Sequence, residues 1–174
     1  MDRRAQAWYL DVVMALFIFA SAMVAYHYFS INIDSAKNDR FKEMSFAADA
    51  LSSTLLKEGY PVQWNSLDVV RIGITHNDQK IDPQLWMEFT GLNYTQSKQL
   101  LGMTYDFLVF FEDAQGNITK IGPMCAAGMP SINFTAYDTT CSAPIIAKVE
   151  NLLASERYVF AQGQILKMKV YVIS

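Results

Sequence analysis

Between Asp11 and Asp34 lie 22 residues without a single Asp, Glu, Lys or Arg. Wound as a helix at about 1.5 Å per residue, they reach roughly 33 Å, the depth of a bilayer's hydrocarbon core. A segment apolar on every side must be enclosed by something equally apolar, either lipid or other helices. Much of the excess that brings the hydrophobic content to 52% sits in the first thirty residues. Past residue 34 the composition is that of one slightly acidic globular domain, which a length of 174 residues accommodates. The net charge of −3 argues against nucleic-acid binding, which wants a basic face.

The flanks give the run a direction. Arg3 and Arg4 precede it, whereas Asp34 follows it and Lys37 comes later. The positive-inside rule therefore keeps the N-terminus in the cytoplasm and sends the rest outside. Tyr26, His27, Tyr28 and Phe29 cluster near the outer end as an interfacial aromatic belt would, with His27 reaching the headgroups. Three fates compete for this segment: a discarded secretory signal, a plain anchor, or a helix kept after a cut ahead of it. A signal peptide has an apolar stretch of about 7–15 residues and a small-residue cleavage site. Ala20–Ser21–Ala22 imitates that site, but the apolar run continues well past it.

From Asp34 to Lys57 there is no Pro and no Gly. Phe41, Met44, Ala48, Leu51 and Leu55 recur at helical steps and form one apolar stripe, with charged residues mostly elsewhere. This predicts one helix from about Trp8 to Lys57, stopped by Gly59 and Pro61. Its first half is apolar all round and its second half on one side only. A discarded signal would need no such continuity.

The remainder alternates short elements. Ser66–Thr75 carries a β-branched run and reads as a strand, followed by a turn containing His76, which stands alone in a solvated loop. Asp82 before Pro83 reads as a helix cap, and Asn93 to Gly102 as a second short helix. Tyr105–Asp113 reads as a buried strand, turned back at Gly116-Asn117. The close of the chain alternates around a Gln162-Gly163 turn and reads as a hairpin, with Val159, Ile165, Met168, Val170 and Val172 its apolar positions. The expectation is an α+β fold: an antiparallel sheet with short helices, packed on the stripe of a long N-terminal helix.

Cys125 and Cys141 enclose 15 residues rich in turn formers. Outside the cell such a pair is most simply a disulfide, and closing a loop of that size stabilises by roughly 3 kcal/mol. A metal site would need more ligands than two sulfurs without a neighbouring histidine. Sequons begin at Asn93, Asn117 and Asn133, each compatible with an extracellular loop, although Asn93 serves equally as a helix cap. There is no phosphate loop, nucleophile elbow or metal-ligand motif, so neither enzymatic activity nor a cofactor is expected. Glu112 and Asp113 are adjacent in a strand and point to opposite faces, while Glu156 and Arg157 read as surface charges.

The opening RRAQAWYLDVVMALFIF resembles the class III signal peptide and N-terminal helix of archaeal type IV pilin-like proteins. LLKEGYPVQW, VVRIGIT, TYDFLVFF and SERYVFAQGQILKMKVYV resemble phrases of the same group's head, in the same order. The resemblance implies a pilin-like fold divided into leader (1–5), membrane and assembly helix (6–33), amphipathic continuation (34–58) and extracellular head (59–174). It also implies cutting by a prepilin peptidase between Ala5 and Gln6, leaving a mature charge of about −4. Asp11, Val12, Leu16 and Phe19 would then be assembly contacts with other pilin subunits, with Asp11 sixth in the mature chain. Partners implied are the membrane, sibling subunits and the pilus assembly machinery, with a surface filament serving roles such as cell adhesion. Within one helix Gln6 and Asp11 are poorly placed to pair. In a staggered bundle Asp11 would meet a neighbour's terminal amine; alternatively it lies at the cytoplasmic headgroups. The competing function is a single-pass anchored binding domain that never polymerises.

Overall fold

The computed structural model describes residues 3–76, 78–129, 141 and 149–174. The sequon at Asn133 and most of the loop between the cysteines lie outside the described residues, as do Met1 and Asp2. Helix α1 (Arg3–Leu55) opens the chain, and its helical backbone is continuous through Asp34. Two compact units divide it, Met1–Lys42 and Glu43–Ser174. In the first unit, the described side chains from Trp8 to Phe29 are all exposed.

The second unit is an α+β head. Helices α2 (Pro83–Gly91) and α3 (Tyr94–Leu101) precede strands β1 (Asp106–Glu112), β2 (Ile118–Thr119), β3 (Ala126–Gly128), β4 (Leu152–Ala161) and β5 (Gln164–Ile173). The strands form one antiparallel sheet in the order β2-β1-β5-β4, with β3 pairing β1 beside β2. Gln162 and Gly163 both take positive φ (51° and 81°), as a two-residue hairpin whose turn matches the strand twist requires.

One face of the sheet makes the core. Phe107, Val109 and Phe111 of β1, Leu166, Met168, Val170 and Val172 of β5, and Val159 of β4 are buried there. Met44, Ala48, Leu51 and Leu55 of α1 join the same cluster, as do Trp86 and Phe89 of α2. Side-chain bonds reinforce the packing: Asp49 of α1 accepts from Ser155 Oγ and Arg157 Nη2, both at 3.1 Å, and Tyr105 donates to Glu43 at 2.9 Å.

The structure corrects several expectations. Phe41 is 60% exposed, because the buried stripe of the head begins at Met44. Ser66–Thr75 is a turn-rich loop joined by single bridges at Arg71 and Thr75, not a strand. Its Ile72 and Ile74 are buried, but Gly73 between them lies against the backbone of Lys57–Gly59. Gly59 does not close α1; it leaves room for the Trp64 indole, whose Nε1 donates to Gly73 O at 2.8 Å. Ile165 is 69% exposed, since Leu166, Met168, Val170 and Val172 take the core parity.

The helix caps follow the sequence. Asp82 accepts from the amides of Gln84 and Leu85 ahead of Pro83, and Gly102 ends α3 in the left-handed region (φ 64°).

Candidate functional site

The first unit contributes a 23-residue span, Trp8–Ser30, long and apolar enough to cross a membrane. Asp11 falls within this stretch, near its N-terminal end. Asp11 is exposed, as are Val12 (41%), Leu16 (63%) and Phe19 (66%). Val12, Leu16 and Phe19 are spaced i, i+4, i+7 and share a helix face; Asp11 is turned about 100° from Val12. Ala5 and Gln6 lie in the helical backbone of α1. Ser21 returns its hydroxyl to the Phe17 carbonyl at 2.8 Å, so that hydroxyl is satisfied within the helix. Tyr28 and Phe29 meet edge-to-face, 6.1 Å apart, near the C-terminal end of this stretch.

Cys125 and Cys141 form a disulfide with a Cα–Cα separation of 5.7 Å. Cys125 is buried just before β3, so the bridge ties Cys141, at the loop's end, to the residue ahead of the strand pairing β1. Asn93 is a cap: its Oδ1 accepts from the Thr95 amide at 2.9 Å. Asn117 is exposed and closes the β1–β2 turn, where its Nδ2 donates to Asp113 at 3.2 Å. The Asn117 amide, with the Asn117 side chain and the Gln115 and Gly116 amides, holds the Asp113 carboxyl below the usual range against the opposing effect of desolvation.

Several of the head's charges are paired with one another. On the sheet's other face Lys169 donates to Glu112 at 2.9 Å and lies 3.5 Å from Glu156, which also faces Lys167 at 3.5 Å. The bond to Glu112 raises the Lys169 pKa despite opposing desolvation. Glu112 and Glu156 are therefore members of one ladder across three strands, not loose surface charges. The two-residue turn already sets Glu156 opposite Lys169, so this half was legible from the hairpin; the β1–β5 pairing that adds Glu112 was not.

Asp106 takes bonds from Lys98 and Tyr94, both at 2.8 Å, and the Lys98 bond lowers its pKa more than burial raises it. Burial, with the bond to Asp106, pushes the Tyr94 hydroxyl well above its ordinary value. His76 is not alone: its Nε2 lies 2.9 Å from Asp82 Oδ2. Burial raises Asp82, but the His76 bond and two α2 amides outweigh it and leave the carboxyl below the usual range. These pairs brace α2 and α3 against the head. Among the described residues no group of three or more His, Cys, Asp or Glu side chains could hold a metal ion.

The fold and the helix thus define an α+β head preceded by an N-terminal apolar helix long enough to anchor it in a membrane. No protein-family model, no curated protein and no solved structure matches this chain.

Proposed function

We propose that this chain is a type IV pilin-like subunit of a surface filament, of the archaeal kind its opening resembles. On this reading it is made with a leader of residues 1–5 and held in the membrane with its N-terminus in the cytoplasm. A prepilin peptidase cuts between Ala5 and Gln6, and the subunit assembles outward with the head extracellular. What supports it most is α1 itself: one helix from Arg3 to Leu55, with no charged residue over residues 12–30 and buried on one stripe from Met44 onward. A segment apolar on every side exchanges lipid for a helix bundle at little cost, because both surroundings are equally dry.

Asp11 then has work to do. An unpaired acid inside an apolar bundle is costly. The α-amino group freed at Gln6 has a reference pKa near 7.7–8.0, so it is largely cationic at pH 7. Pairing it with Asp11 of a neighbour neutralises both charges and sets the axial stagger of the bundle. The bulky face of Val12, Leu16 and Phe19 fills the contact beside it.

Electron microscopy of filaments sheared from the cell surface, with their protein identified by mass spectrometry, tests this reading. Filaments built of this chain are expected. A chain found only in the membrane fraction, with no filament containing it, would replace the proposal with an anchored domain that does not polymerise.

A further inference from the structure

The fold separates the two sequons that the described residues contain. Asn93-Tyr94-Thr95 is wound into the start of α3. Thr95 stands in the first helical turn, and the Asn93 side chain caps the helix by accepting from the Thr95 amide at 2.9 Å. Tyr94 between them is tied to Asp106 at 2.8 Å. Asn117-Ile118-Thr119 is extended instead. Residues 114–117 are the exposed tip of the β1–β2 turn, and Ile118 and Thr119 are β2. Asn117 continues the ladder, since its carbonyl accepts from the Asp113 amide at 2.9 Å. Side chains two apart along an extended backbone point the same way, so Asn117 and Thr119 are offered together. The Thr119 hydroxyl turns toward that asparagine and donates to its carbonyl at 3.4 Å.

We propose that Asn117 is an N-glycosylation site of the folded head and that the folded head does not use Asn93. An enzyme that selects Asn-x-Ser/Thr reads the asparagine and the hydroxyl two residues on at the same time. It therefore takes a tripeptide that offers both on one side of an exposed backbone, which the β1–β2 turn does and the start of α3 does not.

The donor is an oligosaccharide carried on a lipid pyrophosphate. The bond that forms joins Asn117 Nδ2 to the anomeric carbon of the first sugar. The bond that breaks ties that carbon to the pyrophosphate, which leaves with the lipid, while one amide proton passes to a base of the transferase. Nδ2 keeps its second hydrogen. Asp113 Oδ2 already accepts from that nitrogen at 3.2 Å, so the product retains this bond. The amides of Gln115 and Asn117 donate to the other carboxyl oxygen at 2.9 and 2.8 Å and are untouched by the transfer. The turn thus carries a sugar without giving up the bonds that shape it. The proposal rests on the extracellular head of the proposed function, which the Cys125–Cys141 disulfide favours independently, and not on polymerisation.

The test has two arms, both read by glycopeptide mass spectrometry. In the first, the folded full chain in detergent meets an oligosaccharyltransferase of plain Asn-x-Thr specificity and a lipid-pyrophosphate-linked oligosaccharide. Asn117 is expected to be modified, and Asn93 about tenfold less, because the capped first turn of α3 must open before its sequon is read. Short peptides of the two sequons, which lack the fold, should be modified alike. Asn117→Gln abolishes the signal at the turn, and so does Thr119→Val, which removes the hydroxyl and keeps a β-branched residue in β2. An unmodified Asn117, Asn93 modified equally in the folded chain, or a preference for Asn117 that the peptides reproduce overturns the proposal. In the second arm, the chain from native membranes is expected to carry a glycan at Asn117. A bare Asn117 beside an oxidised Cys125–Cys141 pair overturns the proposal and leaves export standing. A bare Asn117 with both thiols free refutes export, and the extracellular head falls with it.

Discussion

Gly73→Ala should destabilise the head strongly, and the reason lies in a backbone crossing. A Cβ at Gly73 would run into the carbonyl oxygen of Lys57 and sit beside the Gly59 amide nitrogen. Neither is the free end of a flexible side chain, so the loop must move as a whole. Overpacking of this kind costs about 1–3 kcal/mol. Moving Gly73 also breaks the buried bond that its carbonyl accepts from Trp64 Nε1, adding about 1–3 kcal/mol. A loss of about 2–6 kcal/mol corresponds to a fall of roughly 6–25 °C in Tm for a domain of this size. Thermal unfolding of the full chain in detergent, followed by tryptophan fluorescence, reads it, because Trp64 and Trp86 are both buried in the core. Gly91→Ala is the control: nothing lies within 4 Å of a Cβ there, and a gain of about 0.5–1 kcal/mol is expected. If Gly73→Ala melts within about 1 kcal/mol of wild type, the loop does not cross where this account puts it.

Leu51→Ala should cost about 2–5 kcal/mol in the same assay, whereas Phe41→Ala, at a position 60% exposed, should stay within about 0.5 kcal/mol. Reducing the disulfide, or Cys125→Ser, should lower stability by about 3 kcal/mol, the loop-closure effect for the residues it encloses. Asp82 and Asp106 titrate below their unfolded values near 3.9, so their contribution is full above that pH and is lost as pH falls through the lower folded values. Asp106→Asn should therefore flatten the acid limb of the stability–pH curve. Lys169 has the opposite sign: its ladder contributes fully below about pH 10.4 and is lost as pH rises through the higher folded value, so Glu112→Gln should flatten the alkaline limb.

Elements governed by local chemistry were legible in the sequence. The helix from the apolar run into the stripe, the caps at Asp82 and Gly102, the 162–163 hairpin and β1 each declare themselves by spacing or by a turn residue. Ser66–Thr75 misleads because its valines and isoleucines have strand composition, whereas its conformation is dictated by Trp64 folding back onto Gly59 and Gly73. β3 is three residues of Ala and Gly, which carry no strand signal and pair with β1 only because the chain is brought there. Partners distant in sequence, such as Asp49 with Arg157 or Tyr105 with Glu43, leave no local trace. Within the apolar helix the span itself was readable from length and composition.

The account stands on a greasy helix that is retained and exposed at a new N-terminus. Intact-mass and terminal-peptide mass spectrometry of the chain from native membranes and sheared filaments bears on this most directly. A mature chain beginning at Gln6 and still containing residues 12–30 is what the account predicts. A product that lacks those residues, or one that still begins at Met1 in the filament fraction, contradicts it.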